Sequence, residues 1–416
     1  MGQGHSHRAG RDLDDGVEVG RGTRIALLAG LGVALVAAVV GIVVWWPSAE
    51  ASDALDRGAV RYAAPGVTFP IGELTAVAPP CDDAGLPEGC GTLTVDVGDE
   101  AGSGEDGDVV VPVPKEVSES GLEPGDRVEL LRTPTEGGAA AYSYFATDRD
   151  TTLTWLALLF LLVVVAVARW RGVLALVGLA AGGAVVWWFM LPALLHGAPG
   201  IGVALAGSTA IMFVVLYTTH GVSLRTSTAL AGTLVGIALT SGLGLVAIDR
   251  AHLTGISDES GAILSTFATS LDFQSLLGCA LVIAGLGVLN DVTITQASAI
   301  WELRAAAPHA SRAQLFASGM RIGRDHIAST IYTIVFAYVG TSLLVLMLLQ
   351  VYDRPLVELL STEELAEEIV RTLTTSIGLV LAVPATTLLA AVVVRGPVAA
   401  EDASLSRPEG SMPAAP

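Results

Sequence analysis

The chain has 416 residues, of which 52% are hydrophobic and only 15% are charged, and its formal net charge is −19 at pH 7. Soluble globular domains carry about 25% charged residues, so this composition excludes an ordinary soluble protein and predicts an α-helical multi-pass membrane protein. The negative charge argues against a nucleic-acid partner, because such proteins present basic surfaces. The sequence has no P-loop, HExxH or GxSxG motif, so we predict no enzymatic activity and no cofactor.

Eight apolar stretches are long enough to cross a bilayer as helices. Its hydrocarbon core, about 30 Å thick, requires about 20 helical residues. We therefore predict eight spans, at residues 25–46, 152–169, 173–195, 201–219, 226–248, 274–300, 326–349 and 372–394. Ala49-Glu-Ala51 resembles a signal-peptide cleavage site, but the first apolar run exceeds the usual signal core of about 7–15 residues, which favours an uncleaved anchor helix.

The distribution of Arg and Lys predicts the side of the membrane that each loop occupies. With a cytoplasmic N-terminus, thirteen basic residues lie in cytoplasmic segments, whereas the short outer loops hold only Arg250, Arg354 and Arg371. Cytoplasmic loops carry the excess of basic residues, so we predict cytoplasmic termini. Arg in place of Lys, with abundant Ala, Gly and Val, suggests a GC-rich bacterial coding bias, and we predict that the protein lies in the bacterial inner membrane. In chain order, the predicted parts are a cytoplasmic tail (1–24), an anchor helix (25–46), an extracytoplasmic β-rich domain (47–150), a seven-helix transmembrane domain (151–395) and a second cytoplasmic tail (396–416).

The segment 47–150 is polar and rich in turn-forming residues. Short β-type runs at 91–97, 108–113 and 127–131 are separated by clusters of Gly, Pro, Asp and Glu. Pro124 and Gly125 form the corner of a turn that leads into the last of these runs. We predict a small β-barrel or sandwich outside the membrane.

Two of the three cysteines, Cys81 and Cys90, fall in this outer segment, and Cys279 lies within a span. In an oxidising compartment the two outer thiols are expected to form a disulfide that closes a small loop. A zinc site would need a second pair of Cys or His ligands, and 47–150 contains no histidine. We therefore predict a structural bridge and no metal site.

Polar residues in the sixth span interrupt an otherwise apolar run. Asp291, Thr295, Ser298 and Glu302 recur at helical spacing after Asn290 and therefore share one helical face. A carboxylate at a membrane helix centre costs about 2.5–3.5 kcal/mol on insertion scales. A chain retains such a group where it faces a partner, a cavity or an ion path.

The seventh span carries a similar pattern, with His326, Thr330 and Thr333 after Arg324. A short segment joins the two spans, so they run antiparallel and their polar faces can meet at similar depth. Low dielectric raises the pKa of a carboxyl group, and a nearby guanidinium lowers it. A switchable proton site requires these two opposing effects. We predict a proton or cation relay in which Asp291 titrates and Arg324 or His326 is the counter-charge. The alternative is that the pair only fixes helix register.

Three shorter patterns concern packing and helix ends. Gly232 and Gly236 form a GxxxG motif typical of close helix contact. Ser311 and Gln314 have the spacing of a capping box, at the start of a predicted short amphipathic helix on the inner lipid surface. His220 ends the fourth span and is interpreted as an interfacial group.

Several of these segments together resemble the YibE/F family of bacterial integral membrane proteins. The resemblance extends over about residues 60–394 and implies a multi-pass membrane protein, without implying a particular activity. The matching segments are Leu216-Tyr-Thr-Thr-His-Gly221, Ala251-His-Leu-Thr-Gly255, Gly287-Val-Leu-Asn-Asp-Val-Thr-Ile-Thr-Gln-Ala-Ser-Ala-Ile-Trp-Glu-Leu303, Met320-Arg-Ile-Gly-Arg-Asp-His-Ile-Ala-Ser-Thr330 and Ala366-Glu-Glu-Ile-Val-Arg-Thr-Leu373.

A shorter segment, Leu289-Asn-Asp-Val292 with Arg324 on the next span, is similar to the SecF-type Sec accessory subunit of the resistance–nodulation–division superfamily. There an Asn–Asp pair faces an arginine within a proton-driven exporter. The likeness implies a proton-coupled transporter or export-assisting protein that uses Asn290, Asp291 and Arg324. The alternative function is a non-transporting membrane scaffold whose outer domain, 47–150, binds a secretion or envelope protein.

Overall fold

The computed structural model describes residues 17–47, 64–78, 91–98, 107–135, 140–268, 270–351 and 355–395. The chain divides into two compact units. The helical unit comprises Met1–Arg57 and Trp170–Pro416, and the β unit comprises Gly58–Arg169. Cys81 and Cys90 lie outside the described residues, so the disulfide stays a prediction.

Helices make up most of the described chain. The principal helices are α1 (Arg21–Val44), α2 (Asp150–Val185), α3 (Gly200–His220), α4 (Leu224–Ala251), α5 (Phe273–Ala306), α6 (Arg312–Thr341), α7 (Leu343–Val351) and α8 (Glu363–Val393). A π-helical turn, Val186–Met190, and a short helix, Leu191–Leu195, continue α2. Further short helices are Lys115–Ser118, Glu259–Phe267 and Leu356–Leu359.

Six of the described helical segments are long and apolar enough to cross a membrane, and the bent pair α6–α7 makes a seventh if it counts as one span. The sequence predicts eight spans at the same places. The count differs because the predicted spans 152–169 and 173–195 fall within one helical stretch, Asp150–Leu195. That stretch is broken at Arg169, whose backbone has φ 54° and ψ −135°.

At the start of α6 the structure contains the predicted capping box but not the predicted separate amphipathic helix. Ser311 caps α6, accepting a hydrogen bond from the main-chain N–H of Gln314, and the Gln314 side chain in turn accepts one from the main-chain N–H of Ser311. The predicted capping box is therefore confirmed. The expected short amphipathic helix is not separate, because it forms the first turns of α6. The predicted span 326–349 bends by 62° between α6 and α7.

The two ends of the helical unit lie side by side. Val19, before α1, forms an isolated antiparallel bridge with Val394, after α8. The main-chain N–H of Arg395 donates to the carbonyl oxygen of Glu18 at 2.7 Å, and the two side chains form an ion pair. The start of α1 and the end of α8 are therefore on the same side of the unit.

The β unit contains one five-stranded antiparallel sheet. Its strands are β1 (Ile71–Ala78), β2 (Gly91–Asp96), β3 (Asp108–Val113), β4 (Arg127–Pro134) and β5 (Ala140–Thr147). They are arranged in the order β3-β2-β1-β4-β5. The outermost strands, β3 and β5, also contact each other, so the sheet curls toward a barrel and is not a two-sheet sandwich.

Alternating side chains of these strands form the core of the β unit. Leu93 and Val95 of β2, Val111 of β3 and Leu130 of β4 are all fully buried, as the period-2 pattern of a half-buried strand requires. The predicted runs 91–97, 108–113 and 127–131 correspond to β2, β3 and β4, whereas the sequence analysis missed β1 and β5. The predicted turn is present, with φ 102° at Gly125, a conformation that favours glycine.

Glycines allow α4, α5 and α8 to pack closely at the centre of the helical unit. A Cβ atom at Gly236 would lie 2.8 Å from a methyl group of Leu289 and 3.1 Å from Cβ of Ala382. One at Gly232 would collide with the side chain of Thr386. The predicted GxxxG contact is therefore confirmed, and its partners are α5 and α8.

Candidate functional site

The polar face predicted on the sixth span is present in α5, but it is not the face that packs inside the helical unit. Asp291 and Glu302 are exposed, and Thr295 and Ser298 are half-buried. The central buried residues of α5 are Leu289, Val292, Thr293, Gln296, Ala297 and Ile300. The predicted polar face therefore lies on the opposite side of α5 from its packed face.

The hydroxyl groups near the predicted relay are bonded within their own helices. Thr295 donates to the main-chain oxygen of Asp291 at 2.6 Å, and Thr330 donates to that of His326 at 2.8 Å. Asn290 is half-buried, and its Oδ1 atom has no hydrogen-bond partner among the described residues. These hydroxyl contacts stabilise the helices locally and do not join α5 to α6.

The predicted pair Asp291 and Arg324 is not in contact. Both side chains are exposed, and no ion pair joins them in the part of the chain that the structure describes. Helices α5 and α6 contact each other at Gly323 and Gln296, where a Cβ atom added at Gly323 would lie 3.0 Å from Nε2 of Gln296. The contact therefore uses the packed face of α5.

Asp291 has a different electrostatic neighbour, His220 at the end of α3. The charges of Arg225, Arg171 and Asp291, in decreasing order, act on the imidazole of His220 at long range, and no hydrogen bond or ion pair joins His220 to any of them among the described residues. These four residues, which we call the His220 cluster, come from four separate helices. Sequence reasoning missed the cluster because its members are far apart along the chain.

A second group of polar side chains lies inside the helical unit, where α4, α5 and α8 pack together. We call it the polar seam, and its members, each at most 4% exposed, are Thr233, Thr240, Thr293, Gln296, Thr374, Thr375, Thr386 and Thr387. The hydroxyl oxygens of Thr233 and Thr293 are 2.6 Å apart. Thr387 donates to Oε1 of Gln296 at 2.9 Å. The seam therefore links α4 to α5 and α5 to α8 through side-chain hydrogen bonds.

Four seam atoms have no hydrogen-bond partner among the described residues, namely Oγ1 of Thr240, Thr375 and Thr386 and Nε2 of Gln296. Leaving a buried polar group unsatisfied costs about 1–3 kcal/mol. Four such groups would together cost about 4–12 kcal/mol, which is comparable with the entire stability of a typical domain, about 5–15 kcal/mol. The unpaired atoms therefore require an explanation.

Glu367 of α8 lies beyond one end of the seam. Its side chain is 5% exposed, and Oε2 accepts a hydrogen bond from Ser257 at 2.9 Å. Its other oxygen, Oε1, is buried without a partner among the described residues. Twenty residues separate Glu367 from Thr387, which corresponds to about 30 Å of helix, the thickness of a bilayer core.

Sequence reasoning did not identify the seam. Threonine is close in shape to valine, so it does not interrupt an apolar stretch as Asp291 does. The available signal was the spacing of Thr233 and Thr240, seven positions apart in a glycine-containing helix, because such positions share a helical face.

No metal centre is found in the described ranges, where no three His, Cys, Asp or Glu side chains are grouped to hold an ion. Comparison with known proteins identifies no similar curated protein and no similar solved structure. The sequence profile of the family described as YibE/F-like protein matches residues 156–396. This match covers more than half of the chain and includes α3 to α8, with both polar groups described above. The chain therefore belongs to the YibE/F-like family.

Proposed function

We propose that the chain is a multi-pass protein of the bacterial inner membrane that couples proton movement to transport or export, with Asp291 as its proton-binding group. Eight crossings are supported by the length of Asp150–Leu195. Its 46 residues would extend about 69 Å as one helix, more than twice the bilayer core of about 30 Å. The break at Arg169 allows two crossings. An even number agrees with the adjacent ends at Val19 and Val394.

The observation that carries the proton proposal is the position of Asp291. It lies in a helix that is otherwise apolar over most of its length and interacts electrostatically with His220. Histidine is the side chain whose charge ordinarily changes near neutral pH. In the proposal the carboxylate of Asp291 and the imidazole of His220 hold a proton alternately, as coupling requires.

The proposed partner of Asp291 is His220, in place of the Arg324 or His326 expected from the sequence. Arg225 and Arg171 are the other charged groups that act on His220. The cytoplasmic location of both termini, and therefore of the His220 cluster, rests on the distribution of basic residues.

The test is proton flux into proteoliposomes that contain a pH-sensitive dye. We expect Asp291→Asn and His220→Gln to lower the flux at least tenfold while the purified variants retain the thermal stability of the parent protein. Glu302→Gln is the matched control, because Glu302 is exposed on the same face of α5, and it should leave the flux unchanged. Equal flux from the parent and from Asp291→Asn would refute the proposal, and absence of flux from every form would favour the scaffold alternative.

A further inference from the structure

We propose that the polar seam binds a file of water molecules and is the path along which a proton crosses the helical unit. This inference rests on the proposed function for the driving reaction and concerns a different set of residues. The seam hydroxyls differ in orientation. Thr228 and Thr233 of α4 donate to the main-chain oxygen four residues earlier, as threonines in apolar helices commonly do. Thr240, on the same helix, does not.

The hydroxyl of Thr240 is directed toward the neighbouring helix. A Cβ atom at Gly378 of α8 would collide with Oγ1 of Thr240, and one at Gly232 of α4 would collide with Oγ1 of Thr386. The two contacts are reciprocal, because each helix places a threonine hydroxyl against a glycine of the other. These two hydroxyls make no hydrogen bond to the main chain of their own helix and point into the interface.

Water is the ligand whose donors and acceptors match these atoms. A buried water molecule makes about three hydrogen bonds to polar groups that otherwise lack partners. The unpaired hydroxyls of Thr240, Thr375 and Thr386 and the amide of Gln296 are such groups, and they lie along one interface. Hydroxyls and water both donate and accept, so a proton can pass from one to the next without a change in the number of bonds.

Glu367 is the proton-binding group at one end of this path. Its Oε1 atom is buried and has no partner among the described residues, and the charged groups that act on it are Arg371, Glu363 and Glu368. In the proposal a proton taken up by Glu367 passes to the seam, whose nearest member on α8, Thr374, is seven residues or about 10 Å along the helix, and one proton leaves at the Gln296 end, so charge is conserved. Under the proposed topology Glu367 is on the outer side.

In the proposal Leu289 closes the path. Between the layer of Thr240 and that of Thr233, the side chain of Leu289 packs against Gly236 beside Ala382. Leu289 is two residues before Asp291 on the same helix, so a shift of α5 that accompanies protonation of Asp291 would move this side chain. Leu289 is therefore the gate of the proposed path.

The first experiment measures proton flux in proteoliposomes. We expect Thr240→Val and Thr375→Val each to lower the flux at least tenfold, Thr240→Ser to retain it, and Leu289→Ala to raise the leak at least threefold. Thr228→Val is the matched control, since this threonine is equally buried on α4, and it should leave the flux unchanged. Flux lost in Asp291→Asn but retained in both valine variants would overturn the water path and leave the proposed function standing.

A second experiment does not depend on flux. In a background carrying Cys279→Ala, Thr240→Cys is treated with a small water-soluble thiol reagent, and labelling of the parent chain is subtracted. We expect labelling at least tenfold faster than for Ala204→Cys, a buried position of α3 outside the seam. Equal rates would overturn the proposal. Fast labelling without flux in the intact protein would support a hydrated seam and contradict the proposed function.

Discussion

The contact between Gly378 and Thr240 allows a quantitative test of the packing of α4 against α8. In Gly378→Ala the new methyl group would collide with Oγ1 of Thr240. Overpacking a close-packed core costs about 1–3 kcal/mol, and the better helix propensity of alanine returns about 0.5–1 kcal/mol. We therefore expect a net loss of about 0–2.5 kcal/mol in the free energy of unfolding.

The same substitution should be tolerated when Thr240 is alanine. Removal of Oγ1 leaves the Cβ atom of residue 240 as the nearest side-chain atom, 3.1 Å from the new methyl group. The overpacking cost is then removed, whereas the gain in helix propensity is the same in both backgrounds, so the coupling energy in the double-mutant cycle should equal the overpacking cost, about 1–3 kcal/mol.

The assay is reversible denaturation of the detergent-purified protein, with the four members of the cycle measured side by side. Gly287→Ala is the control, because a Cβ atom added at Gly287 of α5 would have no neighbour within 4 Å; this variant should be neutral or slightly stabilising. An equal cost of Gly378→Ala in both backgrounds would show that Thr240 is not the group displaced, and would refute the close approach on which the seam geometry depends.

Three further predictions concern other parts of the chain. Ser311→Ala removes the capping box of α6 and should lower the free energy of unfolding by about 1 kcal/mol, measured by the same denaturation. A Thr233→Val and Thr293→Val cycle should give a coupling of about 0.6 kcal/mol for their 2.6 Å contact; zero coupling would mean that the bond is absent in solution. Cys81 and Cys90 should resist thiol labelling until a reductant is added, and a reactive Cys81 before reduction would contradict the disulfide.

Hydropathy located the helices because membrane spans need a minimum length of apolar chain whatever they pack against. The same reasoning placed a boundary near Arg169, where the structure has its backbone break. It did not predict the bend between α6 and α7, because Gly340, Thr341 and Ser342 interrupt an otherwise apolar stretch only briefly and the sequence has no proline there. In the β unit, β2 to β4 follow the alternating pattern, whereas β1 and β5 contain several alanines, a residue depleted in strands, and were missed.

The spacing of Asp291, Thr295, Ser298 and Glu302 correctly predicted one shared face, but spacing alone could not show which face of α5 packs inside. In a soluble helix, the apolar face is the buried one. In a membrane span both faces are apolar, so burial is decided by close approach to the neighbouring helices. Here Gly236 and Gly378 allow that approach. The face of α5 that carries Thr293 and Gln296 is therefore the one buried against the neighbouring helices. The most conspicuous charge of the chain and its most deeply buried polar groups are thus on different sides of one helix. Coupling between them would require α5 itself to move.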